Sequence, residues 1–389
     1  MPDKCYFITC RKPMMSRIPL TLITGYLGAG KTTLLNALLR DASADRIAVV
    51  VNEFGDVGLD HDLIVETTEE TVLLSSGCMC CTVRGDLVQA LEGLFEKRSA
   101  GKLDFDRIVI ETTGLADPSP ILHTLIVTPC LGAALRMDGV VTVCDAVNGP
   151  ATLDAGFESV QQVAMADVLV LSKTDLVTPA QAERFRARLA VVAPGARIVT
   201  ATRGAVPLAA LFGHGAPDMN GALPEAEAWV NAPAYALSSL PLPSLTKAVA
   251  PLATGPTDGL FGLAPAPGSS LMAAIAPAAR HDDRISSVSM VFDDPIHPMM
   301  LDIWMETLIA ARGPDILRMK AVIWADGFDT PFVIHGVQHI IDPPIRLARW
   351  TGEDRKSRVV IIGRDLPREV LLESLDVLKT RPMVQSLPT

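Results

Sequence analysis

The stretch Gly25-Tyr26-Leu27-Gly28-Ala29-Gly30-Lys31-Thr32 constrains this chain more than any other. It fits the pattern G-x-x-x-x-G-K-[ST], and its flanks fit as well. An apolar run, Ile18 to Ile23, leads in; a helical pattern, Thr33 to Arg40 with Leu34, Leu35, Leu38 and Leu39, leads out. Strand, glycine turn and helix start are what a phosphate cradle requires. Glycines let backbone N–H groups turn inward, and the helix N-terminus adds positive potential. Gly25, Gly28, Ala29, Gly30 and Thr33 would surround the phosphates, and Lys31 would reach the β- and γ-phosphates. The Thr32 hydroxyl is placed to ligate Mg2+. A chance glycine-rich turn has no reason to keep both the Lys-Thr register and the strand–helix context.

At 389 residues the chain has core material for two domains. Mean hydropathy is positive, but no apolar run reaches the roughly 18 residues of a membrane helix without a proline or charge. Residues 1–17 carry scattered charges and no apolar central run, so they read as a loose tail, not a signal peptide. A net charge of −10 argues against nucleic acid as the main partner, since phosphate neutralisation needs a basic face. Seven cysteines without a secretion signal point to a reducing cytoplasm, where clustered thiols bind metal or do redox chemistry.

Downstream, strands alternate with helices. Ile47–Val51 is a β-branched run that ends in Asn52-Glu53-Phe54-Gly55, followed by a polar stretch with Asp56, Asp60 and His61. Val72–Leu74 leads into Gly77-Cys78-Met79-Cys80-Cys81, and a helix follows over 84–97. Arg107–Ile110 ends in Glu111-Thr112-Thr113-Gly114, Gly139–Val143 in Cys144-Asp145, and Val168–Leu171 in Ser172-Lys173-Thr174-Asp175. Arg197–Val199 closes the series. This alternation predicts an α/β fold, a mostly parallel sheet with right-handed crossovers. In such a sheet the loops after the strands emerge along one edge, so these polar clusters should converge on one crevice.

The expected division is a tail over 1–17, a nucleotide domain over 18–203, an irregular Pro/Ala-rich linker over 204–283, and a small α+β domain over 284–380. In the last, Ile285–Phe292, Ile316–Trp324, Phe332–Ile340 and Arg358–Gly363 read as strands, with helices over 298–312 and 368–379.

Asp175 could accept hydrogen bonds from guanine N1–H and its 2-amino group. Adenine offers neither donor, so GTP is favoured over ATP. The methylenes of Lys173 can lie across the base. Cys78 and Cys81 have C-x-x-C ligand spacing, and a helix start after them would favour thiolates. Inert buried thiols are the competing reading. Soft thiolates suit Zn2+ or Cu(I), Zn2+ being the commonest. With Cys80 they leave one tetrahedral position for Glu53, water or a client protein, the composition of an exchangeable site.

Together, the GCMCC loop, the NEFG after the second strand, the ETTG in place of an acidic DxxG, and the SKTD resemble the CobW-type metallochaperone GTPases. The resemblance continues through Arg284–Lys379, including Leu317-Arg318-Met319-Lys320, His335-Gly336-Val337-Gln338-His339 and Ile361-Ile362-Gly363-Arg364. It implies a P-loop GTPase domain with a C-terminal CobW domain. It also implies GTP hydrolysis that gates loading or release of a transition metal, zinc in several members and cobalt in others. In that reading Lys31, Asp60 and Glu111 serve catalysis, and Asn52–Asp60 and Glu111–Gly114 act as switches. Gly114, Lys173 and Asp175 complete the nucleotide contacts. Cys78, Cys80 and Cys81, with Glu53, carry the metal to a client apoprotein; a homodimer is compatible.

Some features depart from the pattern. Ser172 stands where many members have Asn, and Ala321 where Gly is usual. No His-rich tract is visible between the domains, where only His214 and His281 occur. His335 and His339, four residues apart on one expected strand, would lie roughly 13 Å apart and could not share an ion. His123, after the ETTG loop, could lie near the crevice. Two other classes compete: a P-loop small-molecule kinase or ligase, and a nucleotide-gated interaction module with little turnover. Neither accounts for the cysteine cluster.

Overall fold

The computed structural model describes residues 17–41, 46–54, 71–76, 82–217, 223–230, 234, 284–348 and 354–381. The first half is a seven-stranded sheet of β1 (Ile18–Gly25), β2 (Ile47–Phe54), β3 (Thr71–Ser76), β4 (Arg107–Thr112), β5 (Leu135–Asp145), β6 (Val168–Ser172) and β7 (Arg197–Thr200). Their order is β3-β2-β4-β1-β5-β6-β7, and every pairing is parallel. Between them run α1 (Lys31–Arg40), α2 (Thr82–Ser99), α3 (Ser119–Val127), α4 (Pro129–Ala134), α5 (Gly149–Ala155), α6 (Phe157–Ala164) and α7 (Pro179–Val192).

The strands read as unbroken apolar runs because the sheet is covered on both faces. Leu20, Leu22, Ala48, Val50, Ile108 and Ile110 face α2, α3 and α6; Ile23, Val49, Val51 and Val109 face α1. One ten-residue helix cannot cover that second face. Chain beyond β7 completes it, with Ala201, Val206, Ala210 and Leu211 buried beside Leu34, Leu35 and Leu38. Much of the start of the expected linker is therefore core: Gly204 lies so close to α1 that a Cβ there would meet the Thr33 carbonyl oxygen at 2.7 Å.

The second sheet, antiparallel throughout, holds β8 (Ile285–Phe292), β9 (Ile316–Ile323), β10 (Phe332–Val337), β11 (Ile340–Ile341), β12 (Ile345–Arg346) and β13 (Ser357–Arg364). Its order is β11-β10-β9-β13-β8, with β12 beside β10. Alternation decides what each face meets. Met319, Ala321, Ile323, Val359 and Ile361 pack on the helices Pro298–Arg312 and Arg368–Asp376. Val322, Val333, Val360 and Ile362 face the other way and join the core of the parallel-sheet domain. A short helix α8 (Leu223–Val230) lies against β9 and β13. The same alternation turns Arg318 and Lys320 into the domain boundary, where both are buried.

The span 332–340 is not one strand. It turns at Gln338, whose φ of 54° breaks the ladder between β10 and β11. His335 is thus buried in β10, while His339 sits exposed beyond the turn.

Candidate functional site

The loop between β1 and α1 follows its glycines. Gly30 caps α1 in the left-handed region, φ 102° and ψ 24°, a conformation that costs a side chain but not glycine. Lys31 is buried, and its Nζ donates to the carbonyls of Gly25 at 2.9 Å and Tyr26 at 3.3 Å. Thr32 Oγ1 donates to Glu111 Oε1 at 3.0 Å. Glu111 comes from β4, directly beside β1, where it pairs in register with Ile23. The chain after β4 presses on the phosphate loop: a Cβ on Gly114 would lie 2.5 Å from the Leu27 amide nitrogen. Only glycine allows that approach.

A second set of contacts comes from β5 and β6. Ser172 Oγ donates to the Ala29 carbonyl at 2.7 Å, so the hydroxyl that replaces the usual carboxamide still fastens this turn to the phosphate loop. Lys173 takes up the left-handed region at φ 55°. Its Nζ donates to the Gly28 carbonyl at 2.7 Å and to Asp145 Oδ2 at 2.8 Å. Asp145 ends β5, opposite Ser172 in the register. Burial alone would raise its carboxyl, but the bonds from Lys173, Val147 and Asn148 outweigh that and hold it below the ordinary carboxylate value. Asp145 and Asn148 line a small cleft together with Tyr26 and Leu27. Asp175 is exposed in a one-turn 3-10 helix, Thr174–Leu176.

Residues 19–200 match the CobW/HypB/UreG nucleotide-binding domain, and residues 285–379 match the cobalamin synthesis protein CobW C-terminal domain. The zinc chaperone YjiA of Escherichia coli (strain K12) is 31% identical over 359 residues, which cover 91% of this chain and 96% of YjiA. The chain belongs to the CobW family. A crystal structure described as Zn(II)-bound YjiA GTPase from E. coli superposes with a TM-score of 0.63 at 28% identity, covering 94% of this chain and 100% of that one. Zinc-regulated GTPase metalloprotein activator 1 of Schizosaccharomyces pombe is 40% identical over 197 residues, 48% of this chain and 46% of that protein.

In this CobW-family chain, the side chains of Lys31, Thr32, Glu111 and Lys173 and the backbone of Gly25, Gly28, Ala29, Gly30, Thr33 and Gly114 converge at the C-terminal ends of β1, β4 and β6. Asp60, Cys78, Cys80 and Cys81 lie outside the described residues. Glu53 is placed by its backbone near the end of β2, paired with Ser75 of β3. β3 is the sheet edge, three strand spacings or about 14 Å from β1. The end of β3 therefore lies well to one side of the phosphate loop, with β2 and β4 between. Among the described residues no three His, Cys, Asp or Glu side chains gather to hold a metal. The buried Cys144 thiol is pushed up to about 12 by desolvation, so it offers no thiolate at neutral pH.

Sequence reasoning gave Asp145 no role. The available signal was a carboxylate directly after a buried apolar strand at the ligand edge of a parallel sheet. Gln162 carried no signal. It is wholly buried in α6, and its Nε2 donates to the Ala116 carbonyl at 2.9 Å, holding the loop that follows Gly114. His123 meets His339 across the domain boundary, ring centroids 5.5 Å apart.

Proposed function

We propose that this chain is a slow GTPase that couples nucleotide turnover to holding and releasing a transition metal, zinc before cobalt, for a client apoprotein in the cytoplasm. The observation that carries the reading is the fastening of the Ser172–Asp175 turn to the phosphate loop, through the Ala29 and Gly28 carbonyls. Such a junction makes one rigid seat for both ends of a nucleoside triphosphate. The backbone from Gly25 to Thr33 cradles the phosphates, and Asp175 reads the guanine edge. Lys31 exchanges its loop carbonyls for phosphate oxygens. Thr32 and Glu111, adjoining oxygen donors on two elements, fit a hard Mg2+ ion. When bound, that ion supplies neutralising charge at the phosphates.

Asn52–Asp60 and Glu111–Gly114 act as the parts that respond to the γ-phosphate, with Asp60 and Glu111 positioning the attacking water. Cys78, Cys80 and Cys81, with Glu53, take the metal. The names of the relatives support zinc as cargo. Since β3, the strand before the cysteines in the sequence, is the sheet edge, β2 and β4 are in this reading the route by which nucleotide state reaches the metal. The test is zinc titration against a chromogenic chelator with a non-hydrolysable GTP analogue and with GDP. Zinc affinities should differ by about 5- to 150-fold between the two states. Changing Cys78, Cys80 and Cys81 together to Ser should abolish tight binding, since hydroxyls do not replace soft thiolates. Equal affinities in both states would rule out gating.

A further inference from the structure

Asp145 holds more contacts than a strand end needs. Its Oδ1 accepts from the backbone N–H of Val147 at 2.7 Å and of Asn148 at 3.3 Å, and its Oδ2 from Asn148 Nδ2 at 3.0 Å and Lys173 Nζ at 2.8 Å. The carboxylate is thereby pinned to the start of α5 on one side and to Lys173 on the other. Lys173 in turn holds its left-handed backbone while its side chain bridges Asp145 and the Gly28 carbonyl. With the Ser172–Ala29 bond, this ties the ends of β5 and β6 to the phosphate loop.

We propose that Asp145 is a positioning residue for the nucleotide: it holds the Lys173 ammonium over the Gly28 carbonyl, so that the base-reading turn and the phosphate cradle stay in one spatial relation. The proposal rests on the guanine-nucleotide reading of this site. Charge fixes its sign. Alone, a carboxylate this near the phosphate loop would repel a nucleotide; paired with Lys173 it is neutral. Asp145 therefore helps only while Lys173 is present and harms once it is gone.

That asymmetry gives a test through dissociation rates of fluorescent GDP and GTP analogues from the full chain. Asp145→Asn keeps an acceptor for α5 but loses the charge that orients Lys173, and should speed release about 10- to 100-fold. Lys173→Met should speed it at least as much. Adding Asp145→Asn to Lys173→Met should cause no further loss and should slow release again, because the unpaired charge disappears. Asn148→Ala removes one contact to the carboxylate but leaves that of Lys173 in place, so it should speed release less than Asp145→Asn. Additive losses, or an Asp145→Asn protein that releases nucleotide at the wild-type rate, would overturn the positioning role. A wild-type protein that binds no guanine nucleotide would instead overturn the reading of the site itself.

Discussion

At the N-terminal end of β6, Asp167 takes Lys320 Nζ on Oδ1 at 2.7 Å and Arg318 on Oδ2 at 2.7 Å, with the Val140 N–H also on Oδ2 at 2.9 Å. At the C-terminal end, Lys173 meets Asp145 at 2.8 Å. Both ends pair an aspartate with a lysine, about 16 Å apart along one short strand. Their surroundings differ. The side chains of Asp167, Arg318 and Lys320 are all at most 5% exposed, whereas that of Lys173 is 35% exposed. At the closed end burial alone would raise the Asp167 carboxyl, but Arg318 and Lys320 overcome it and hold it far below its ordinary value. Burial pulls the Lys320 ammonium down to about 8, since it shares one carboxylate with Arg318. Arg318 also donates to the Met165 carbonyl, and Lys320 to that of Trp229 in α8, so this end bolts the second sheet onto the first. The open end joins the Ser172–Asp175 turn to the phosphate loop at the ligand edge of the sheet, where its lysine stays partly exposed. On the proposed reading, burial separates the ion pair that fastens the domains from the one that serves the nucleotide site.

The largest effect is expected at the closed end. Asp167→Ala leaves two buried cations without a counter-charge, and loss of one partner of a buried pair costs about 3–5 kcal/mol. Urea unfolding should show that loss, while the guanine-nucleotide affinity of protein that remains folded should stay close to wild type. A loss below 1 kcal/mol, or an affinity that falls in step with stability, would erase the distinction between the two ends.

At the open end the effects should reverse. Asp175 is exposed and makes no core contact, so Asp175→Asn should shift stability by no more than about 0.5 kcal/mol. Its effect on binding should be far greater. Losing charge-assisted acceptors for guanine weakens GTP by about 10- to 100-fold, and xanthosine triphosphate should gain, because an amide donor now faces its oxo group. Competition binding with GTP, xanthosine triphosphate and ATP checks this. A wild type that prefers ATP would sink the guanine assignment.

What could be read in the sequence follows the same contrast. The phosphate loop, its following helix and the Lys-Thr pair are contiguous, and local backbone chemistry writes them directly into residue order. Strand positions were legible too, because two covered faces leave unbroken apolar runs. Contacts between distant segments were not. Lys173 and Asp145 stand 28 residues apart, and Arg318 and Asp167 stand 151 apart. Arg318 and Lys320 did interrupt an apolar strand, which signals that something charged must face them, but nothing local says what. The turn at Gln338 was hidden because it lacks a glycine, proline or asparagine; the neighbouring Gly336 lies within β10. The packed chain over 201–212 was hidden because its burial is forced by α1 being too small to cover a face, which is a property of the assembled sheet.

The smallest expected effect is the most discriminating. Lys320→Met keeps an unbranched apolar side chain of similar length, removes one of two buried cations, and leaves Asp167 its bond to Arg318. Removing a surplus buried charge in favour of a well-packed apolar group is often neutral or stabilising, so at pH 7 the variant should lie within about 1 kcal/mol of wild type. The sign with pH follows from proton binding. Lys320 holds its proton less tightly in the fold, at about 8, than its ordinary value of 10.5. Between those values the unfolded chain therefore binds more protons, and this residue makes stability rise with pH. Below pH 8 its charged form bears the full burial cost. Wild type should accordingly gain on Lys320→Met between pH 8 and pH 10, a trend that other titrating groups share equally and that the difference between the two proteins isolates. Urea midpoints for both proteins at several pH values across that range supply the test. Parallel curves would show that Lys320 is not desolvated as its burial implies, and that the two ends of β6 differ less than their geometry indicates.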